Sequence, residues 1–588
     1  MSSTSRSTVI GGARSPQGYW TLAPGPGESH LARRELVSGQ RSLPPGTPLL
    51  SVAQLSDLHL CDSQSPARAE FLDRWADPDS PLKPVIDAVG TYRAQDCVTV
   101  QVAEAMVRSV NALAAGPVGG APLDFALLTG DVTDNAQANE LSWYLSVLEG
   151  GPIVADSGDP SRYEGVAAHD PAYFDEYFWH PDVSWDGTVP PDSPLPPLDR
   201  RRAELGFPAA PGLLDALRMP FDAEGLSIPW LAVHGNHDQM IQGTIPAVGP
   251  FAAAAAADSK AIGVPGHWSH EAIARFCLDM DSCSFPALAL WDSLRSRPAT
   301  PDPMRAAISR TEFIRAHFGL SARPVGHGFA ESARQTGRAY YRYDHGPVSV
   351  LALDTVNANG GWEGSLDGVQ LDWLIEELSA ADAERRLVVL ASHHPLRRLI
   401  NGRTATDTAE QLAEAGYSLP AGAPGGVGPA GAADERRVLS AELAEELARH
   451  PSLVLWLNGH THMTSVTPHP PRDGHGAGAR SGGGWWEVTA PSLIDFPQQG
   501  RIVEVLDGGD ELTIACTMID HGGEVPWSGS VDSIAAIAGL SRELAANDWQ
   551  RYSADPDGAA LADDPGLNLR HGTRADRNVL LSLRHPWA

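Results

Sequence analysis

Long apolar runs are missing from this sequence. No stretch of about 18 apolar residues occurs, so no membrane-spanning helix is expected. Residues Met1–Gly18 are polar and rich in small side chains, with no apolar segment after their arginines. No secretory signal is expected there, and the expected location is the cytoplasm. Cysteine is scarce. Cys61, Cys97, Cys277, Cys283 and Cys516 are scattered, odd in number, and never form a CxxC pair. That pattern excludes a disulfide framework and a thiolate-held structural zinc. Cys61, two residues after His59, is read as a small buried residue in preference to an outer group of a site. Lysine is confined to Lys83 and Lys260. With 43 Lys and Arg against 73 Asp and Glu, the formal net charge is −30. Such a field repels long polyanions, so neither DNA nor RNA is an expected partner. Small phosphorylated substrates remain open, because bound cations reverse the sign locally. No internal repeat is present, and nothing sets an oligomeric state.

What is there suits one large elaborated domain: 588 residues, 42% hydrophobic and 20% charged. Residues 1–46, rich in Pro and Gly, read as an irregular arm. Residues 47–520 read as the main domain, and 521–588 as a C-terminal helical extension. Leu49–Leu55, Phe125–Thr129, Ile228–Val233, Val348–Leu353, Arg386–Ala391 and Leu453–Leu457 are short apolar runs that read as buried strands. Trp485–Thr489, Arg501–Leu506 and Leu512–Met518 read as further, antiparallel strands. Helical spacing covers Thr99–Leu113, Ala136–Leu148 and Val438–His450, with another helix capped by Ser365 and one near 532–552. Strand, helix, strand at 49–129 is a βαβ unit, which implies a parallel pair. Two insertions interrupt the pattern, at about 150–227 and 241–340. The first carries an aromatic cluster from Tyr173 to Trp185 and reads equally as a lid or as a packed elaboration. Residues 420–433 read as a loop.

Five short motifs carry the chemistry. They are Asp57-Leu58-His59, Gly130-Asp131-Val132-Thr133-Asp134, Gly235-Asn236-His237-Asp238, Ser392-His393-His394-Pro395 and Gly459-His460-Thr461-His462. Each directly follows an apolar run. In open α/β sheets functional groups collect beyond the carboxyl ends of strands, so side chains spread along the chain can converge. Asp57 and Asp131 offer anionic oxygens, Asn236 an amide oxygen, and His59, His393, His460 and His462 imidazole nitrogens. Mixed oxygen and nitrogen donors suit Mn, Fe, Zn or Co. Seven donors cannot fill two octahedra, which leaves positions for water and substrate. Two such ions roughly 3.5–4 Å apart can activate a water and clamp a phosphoryl group together.

In their order and completeness these motifs resemble the calcineurin-like metallophosphoesterase superfamily over about 49–465. The runs Asp131–Gln137 and Ser492–Gln499 resemble, in particular, an actinobacterial branch of it. The resemblance implies an α/β four-layer sandwich, two mixed β-sheets flanked by helices, with the two insertions added. It implies a dinuclear centre of two divalent transition-metal ions. Asp57, His59 and His462 would hold the first, Asn236, His393 and His460 the second, and Asp131 would bridge them. His237 would protonate the leaving oxygen or stabilise the charged transition state, and Asp134 would hold the His237 tautomer. His394 would lie behind the ligands. Asp238 is expected to structure its loop and His234 to sit in the core. Asn135, Asn139 and Glu140 suit either the rim of the site or a helix N-terminus. Trp362 and Glu363, in a glycine-rich loop after a strand, are candidates for substrate contact.

The departures narrow the expectation. Protein Ser/Thr phosphatases of the superfamily place arginines where this chain has Asn135-Ala136 and His234, and purple acid phosphatases place a ligand tyrosine where it has Thr133 or Asp134. The Asn-His-Asp and His-His-Pro forms look more like the phosphodiesterase branch. The expected activity is hydrolysis of a small phosphodiester or phosphomonoester by a metal-bound hydroxide. The alternative is a catalytically inactive metal-binding scaffold of the same fold.

Overall fold

The apolar runs become strands because each is bounded by turn residues and can be covered on both faces. The computed structural model describes residues 3–37, 46–86, 89–168, 170, 172–182, 199–246, 253–283, 290–319, 321, 323–414, 436–471, 484–548 and 569–588. Two sheets dominate. The strands that build them are β1 (Leu31–Leu36), β2 (Thr47–Leu55), β3 (Phe125–Leu128), β4 (Trp230–Ala232), β5 (Tyr341–His345), β6 (Val348–Ala352) and β7 (Leu387–Ala391). They continue with β8 (Leu453–Asn458), β9 (Ser465–His469), β10 (Trp485–Thr489), β11 (Gln499–Asp507), β12 (Glu511–Asp520) and β13 (Val579–Arg584). The first sheet has the order β1-β13-β12-β11-β2-β3-β4 and the second β5-β6-β7-β8-β10-β9. Both are mixed. β2, β3 and β4 run parallel, as do β6, β7, β8 and β10.

Period-two burial sets the layers. In β7, Val389 and Ala391 join the core shared with the first sheet. Val388 and Leu390 face the other way, onto Leu371, Leu374 and Leu378 of helix Gly368–Glu384 and Leu443 and Leu447 of helix Ser440–Leu447. Contacts between the sheets are direct. The Phe125 and Tyr343 rings lie 5.6 Å apart, and Gln54 Nε2 donates to the Asn458 carbonyl (3.0 Å). Helices Thr99–Asn111 and Ile534–Ala546 pack together beside the first sheet. The result is the expected α/β sandwich of two mixed sheets flanked by helices.

Several expectations are corrected. Residues 1–46 are not an irregular arm. Ser7–Arg14 and Trp20–Pro26 pair as a hairpin, and β1 is a strand of the first sheet. Nor is 521–588 a helical extension: after helix Ile534–Ala546 comes β13, which lies between β12 and β1. β10 pairs antiparallel with β9, as expected, and also runs parallel to β8. Asp367 caps the helix assigned to Ser365, its carboxylate accepting from Gln370 N (2.7 Å), because the Ser365 hydroxyl is taken by Arg437 (2.7 Å). The 420–433 loop and Trp185 lie outside the described residues. Among those residues, no helix is long and apolar enough to cross a membrane.

The position of β13 has a testable consequence. Deleting residues 579–588 removes an interior strand and exposes the ladder edges of both neighbours. The shortened chain is expected to lose its cooperative thermal transition, followed by circular dichroism. An unchanged melting curve would contradict the assignment.

Candidate metal centre

All five motifs sit where parallel strands end. Asp57 follows β2, Asp131 follows β3 and Asn236 follows β4, all in the first sheet; His393 follows β7 and His460 follows β8 in the second. The sheets face each other, so the two rows of strand ends meet. Close approach leaves no room for side chains in the turns. A Cβ on Gly235 would lie 2.1 Å from Asp131 N, and one on Gly459 would lie 2.4 Å from Asp57 Oδ2. Asp57, His59, Asp131, His460 and His462 all adopt φ between 44° and 69°. Left-handed backbone at such residues costs about 1–3 kcal/mol each and persists only where the surroundings impose it.

The seven expected ligands fall into two groups sharing Asp131. In the first, His59 Nε2 lies 3.0 Å from His462 Nε2 and 3.7 Å from Asp131 Oδ2, and His462 Nε2 lies 3.3 Å from Asp57 Oδ1. In the second, His393 Nε2 lies 3.2 Å from Asp131 Oδ2, 2.9 Å from Asn236 Oδ1 and 3.3 Å from His460 Nδ1. His460 Nδ1 is 3.0 Å from Asn236 Oδ1. Both groups lie at the facing strand ends of the two mixed sheets.

No family model matches the chain, and no curated protein does. Among solved structures it is similar to a dimetal phosphatase from Danio rerio, at 11% identity and a TM-score of 0.33, over 81% of this chain and 99% of that one. It is also similar to a purple acid phosphatase from yellow lupin (Lupinus luteus) seeds, at 11% identity and a TM-score of 0.26, over 87% of this chain and 56% of that one. The geometry of the strand ends carries the reading of the site.

Hydrogen bonding behind the ligands shows what the cluster is built to hold. His59 Nδ1 faces Asp134 Oδ1 (3.2 Å), and His462 Nδ1 faces Asp495 Oδ2 (2.5 Å). His393 Nδ1 faces the Thr129 carbonyl (2.9 Å). Carboxylates and carbonyls only accept, so each Nδ1 carries the proton and each Nε2 presents a lone pair inward. Lone pairs of His59 and His462 then oppose each other at 3.0 Å, with carboxylate oxygens beside them. Buried electron-rich atoms in this arrangement fit a cation between them, in both groups. Burial and neighbouring imidazoles hold His59 at about 4, and burial outweighs Asp57 to hold His462 at about 4. Burial would also lower His393, but without a cation the adjacent Asp131 carboxylate pushes it up to about 9, so that a proton on Nε2 takes the place a bound ion would fill.

The remaining motif residues have distinct places. His237 donates from Nδ1 to the Asp134 main-chain carbonyl (3.0 Å). The Asp134 carboxylate is farther, at 3.5 Å, and it also accepts from His59 and from Arg68. Asp134 therefore orients His237 mainly through its backbone, a refinement of the expected side-chain contact. Burial disfavours a charged His237, yet Asp131 and Asp134 outweigh it and raise its proton affinity above the ordinary value. His394 is no ligand in this geometry, since Thr355 Oγ1 (2.8 Å) and the Trp362 carbonyl (2.9 Å) occupy both its nitrogens. Asp238 ties its loop to Thr133 and Gly235.

The cluster opens into a cavity of ≈ 310 Å³. His237, Asn236, Asp131, His460 and His462 form its floor. Ile241, Gln242, Thr244, Met280 and Asp281 of the second insertion line one wall. Among the described residues, the first insertion contributes none to this lining. Trp362 does line it, stacked over His460 with ring centroids 5.8 Å apart. Glu363 stands behind, paired with Arg398 (2.9 Å). Three arginines also line the cavity: Arg93, Arg398 and Arg570. None belongs to a motif. The cavity's arginines come from other parts of the chain and are paired there, Arg93 and Arg570 with Asp495 and Arg398 with Glu363. Asp495 was within reach of sequence reasoning, since it follows β10 as the ligands follow their strands. The arginines carried no such signal.

Metal loading should be visible as stability, because an ion bound only by the folded chain raises its melting temperature. Metal-stripped protein is expected to melt higher on adding Mn²⁺, and Asp131→Asn, which weakens both groups at once, to lose most of that rise. Differential scanning calorimetry measures both, and equal rises would contradict the shared position of Asp131.

Proposed function

We propose that the chain is a metal-dependent phosphoester hydrolase with a dinuclear centre, acting on a small phosphodiester or phosphomonoester. The observation that carries this reading is the complete set of seven donors, split into two groups around Asp131 and open on one side to a cavity lined by three arginines. Asp57, His59, Asp131 and His462 would hold one ion; Asp131, Asn236, His393 and His460 would hold the other. When bound, the two ions would supply an activated water and offset charge on the phosphoryl oxygens.

The chain's own residues account for the rest. His237, with Nδ1 fixed on the Asp134 carbonyl and its ring 17% exposed at the cavity, is placed to hold a proton for the departing oxygen. Its main-chain N–H donates to Asp131 Oδ1 (2.7 Å), which ties this acid to the bridging ligand. Arg93, Arg398 and Arg570 line the opening while paired with Asp495 and Glu363, and N–H groups left over from those pairs can meet phosphoryl oxygens. Trp362 supplies a flat apolar surface beside the metals for the organic part of the ester. The cavity's size and the net charge of −30 both favour a small substrate over a long polyanion. An inactive metal-binding scaffold would account for the donor set but not for His237, oriented by the Asp134 carbonyl and open to the cavity.

Purified protein with Mn²⁺ is expected to hydrolyse bis(p-nitrophenyl) phosphate or p-nitrophenyl phosphate. Asp131→Asn should abolish turnover. His237→Asn should lower kcat by about 10²–10⁴-fold, the usual contribution of a positioned acid, while metal content stays at the wild-type level. Robust turnover by metal-stripped protein, or full activity in Asp131→Asn, would overturn the reading.

A further inference from the structure

Outside the seven ligands, Asp495 is a tightly held carboxylate. Its side chain is 3% exposed and lies 2.5 Å from His462 Nδ1. Two arginines grip it. Arg93 forms a fork, with Nε donating to Oδ1 (2.6 Å) and Nη2 to Oδ2 (3.0 Å), and Arg570 Nη1 contacts Oδ2. These residues come from three distant places: the segment before helix Thr99–Asn111, the turn after β10, and the segment before β13. The turn is itself fixed, since Asp495 N donates to Ser492 Oγ (3.0 Å) and Leu493 N to the Asp57 carbonyl (3.0 Å). Arg570 is anchored at its backbone as well, where its carbonyl accepts from Thr464 N (2.9 Å), two residues beyond His462.

We infer that Asp495, clamped by Arg93 and Arg570, is a positioning residue that fixes the tautomer and angle of His462, and that Arg570 thereby makes the C-terminal segment part of one metal site. The inference rests on the reading of the cluster as a metal centre. A ligand imidazole must keep its proton on the outer nitrogen and its lone pair on the inner one, and a carboxylate at hydrogen-bond distance enforces both. Two guanidiniums compensate the buried charge of that carboxylate, which a histidine alone would not. The same construction stands behind His59, where Arg68 grips Asp134. That clamp is drawn from neighbouring loops, whereas the His462 clamp draws on the far end of the sequence. Because coupling between sites is reciprocal, ion binding should also tighten the segment that carries Arg570.

The test uses the full chain, stripped of metal and titrated with Mn²⁺ by calorimetry and with Co²⁺ by visible absorption. Asp495→Asn keeps the shape but not the charge. It is expected to weaken one of the two sites by about 10–100-fold, as loss of such outer partners does, and to leave the other as in wild type. Asp495→Glu should recover part of the loss, and Arg570→Met should weaken the same site to a smaller degree. Hydrogen exchange at 570–572 should slow on Mn²⁺ addition in wild type and not in Arg570→Met. Unchanged affinities in Asp495→Asn, or equal weakening of both sites, would overturn the inference. If Asp495→Asn does not fold, Arg570→Met and Arg93→Met decide by the same criterion. Wild type that takes up fewer than two ions would instead overturn the metal-centre reading, a separate outcome.

Discussion

The structure depends on holding two carboxylates, four imidazole lone pairs and an amide oxygen face to face, nearly sealed from water. Asp131 is the hinge of that arrangement, since its Oδ2 serves both groups and its Oδ1 receives the His237 amide. Buried acceptors without donors are costly, and the cost falls only when cations occupy the gaps. Much of the local architecture follows from this one requirement. Glycine stands at 235 and 459 because ligand atoms crowd the space a side chain would fill. Five ligands accept left-handed backbone because only that direction turns their side chains inward.

The two sheets serve the same end. Parallel strands point their carboxyl ends one way, and each sheet contributes its row of ends to a single line. The helix layers cover the outer faces and leave that line open. The cavity takes its arginines from loops outside the motif strands. A chain with an overall charge of −30 therefore lines its opening with guanidinium groups, and long-range repulsion and short-range hydrogen bonding select on different scales.

How much of this could be read from residues alone varies with the physics behind each feature. The motif-bearing strands were legible because a buried strand is a short apolar run, and each such run here ends on Asp, Asn or His. The ligands were legible because metal chemistry demands particular donors. The helix cap was misplaced by two residues because Ser365 and Asp367 are both good caps, and only the partner Arg437 decides between them. The strand character of the N-terminal segment was hidden by its prolines and glycines, and the role of β13 by the lack of a local partner. Arg68, Arg93 and Arg570 were illegible for a more general reason: a salt bridge between distant segments leaves no periodicity. Asp495 lay between these cases, in a strand-end position that could have been noticed.

The neighbourhood of β1 and β13 also bears on when the molecule comes into being. Arg34 on β1 donates to Ser582 on β13 across a separation of 548 residues. Pairings so remote in sequence form slowly, because loop closure must precede any reward. The outer part of the first sheet is therefore a late-forming part of the fold, since β13 must find β1 across that separation.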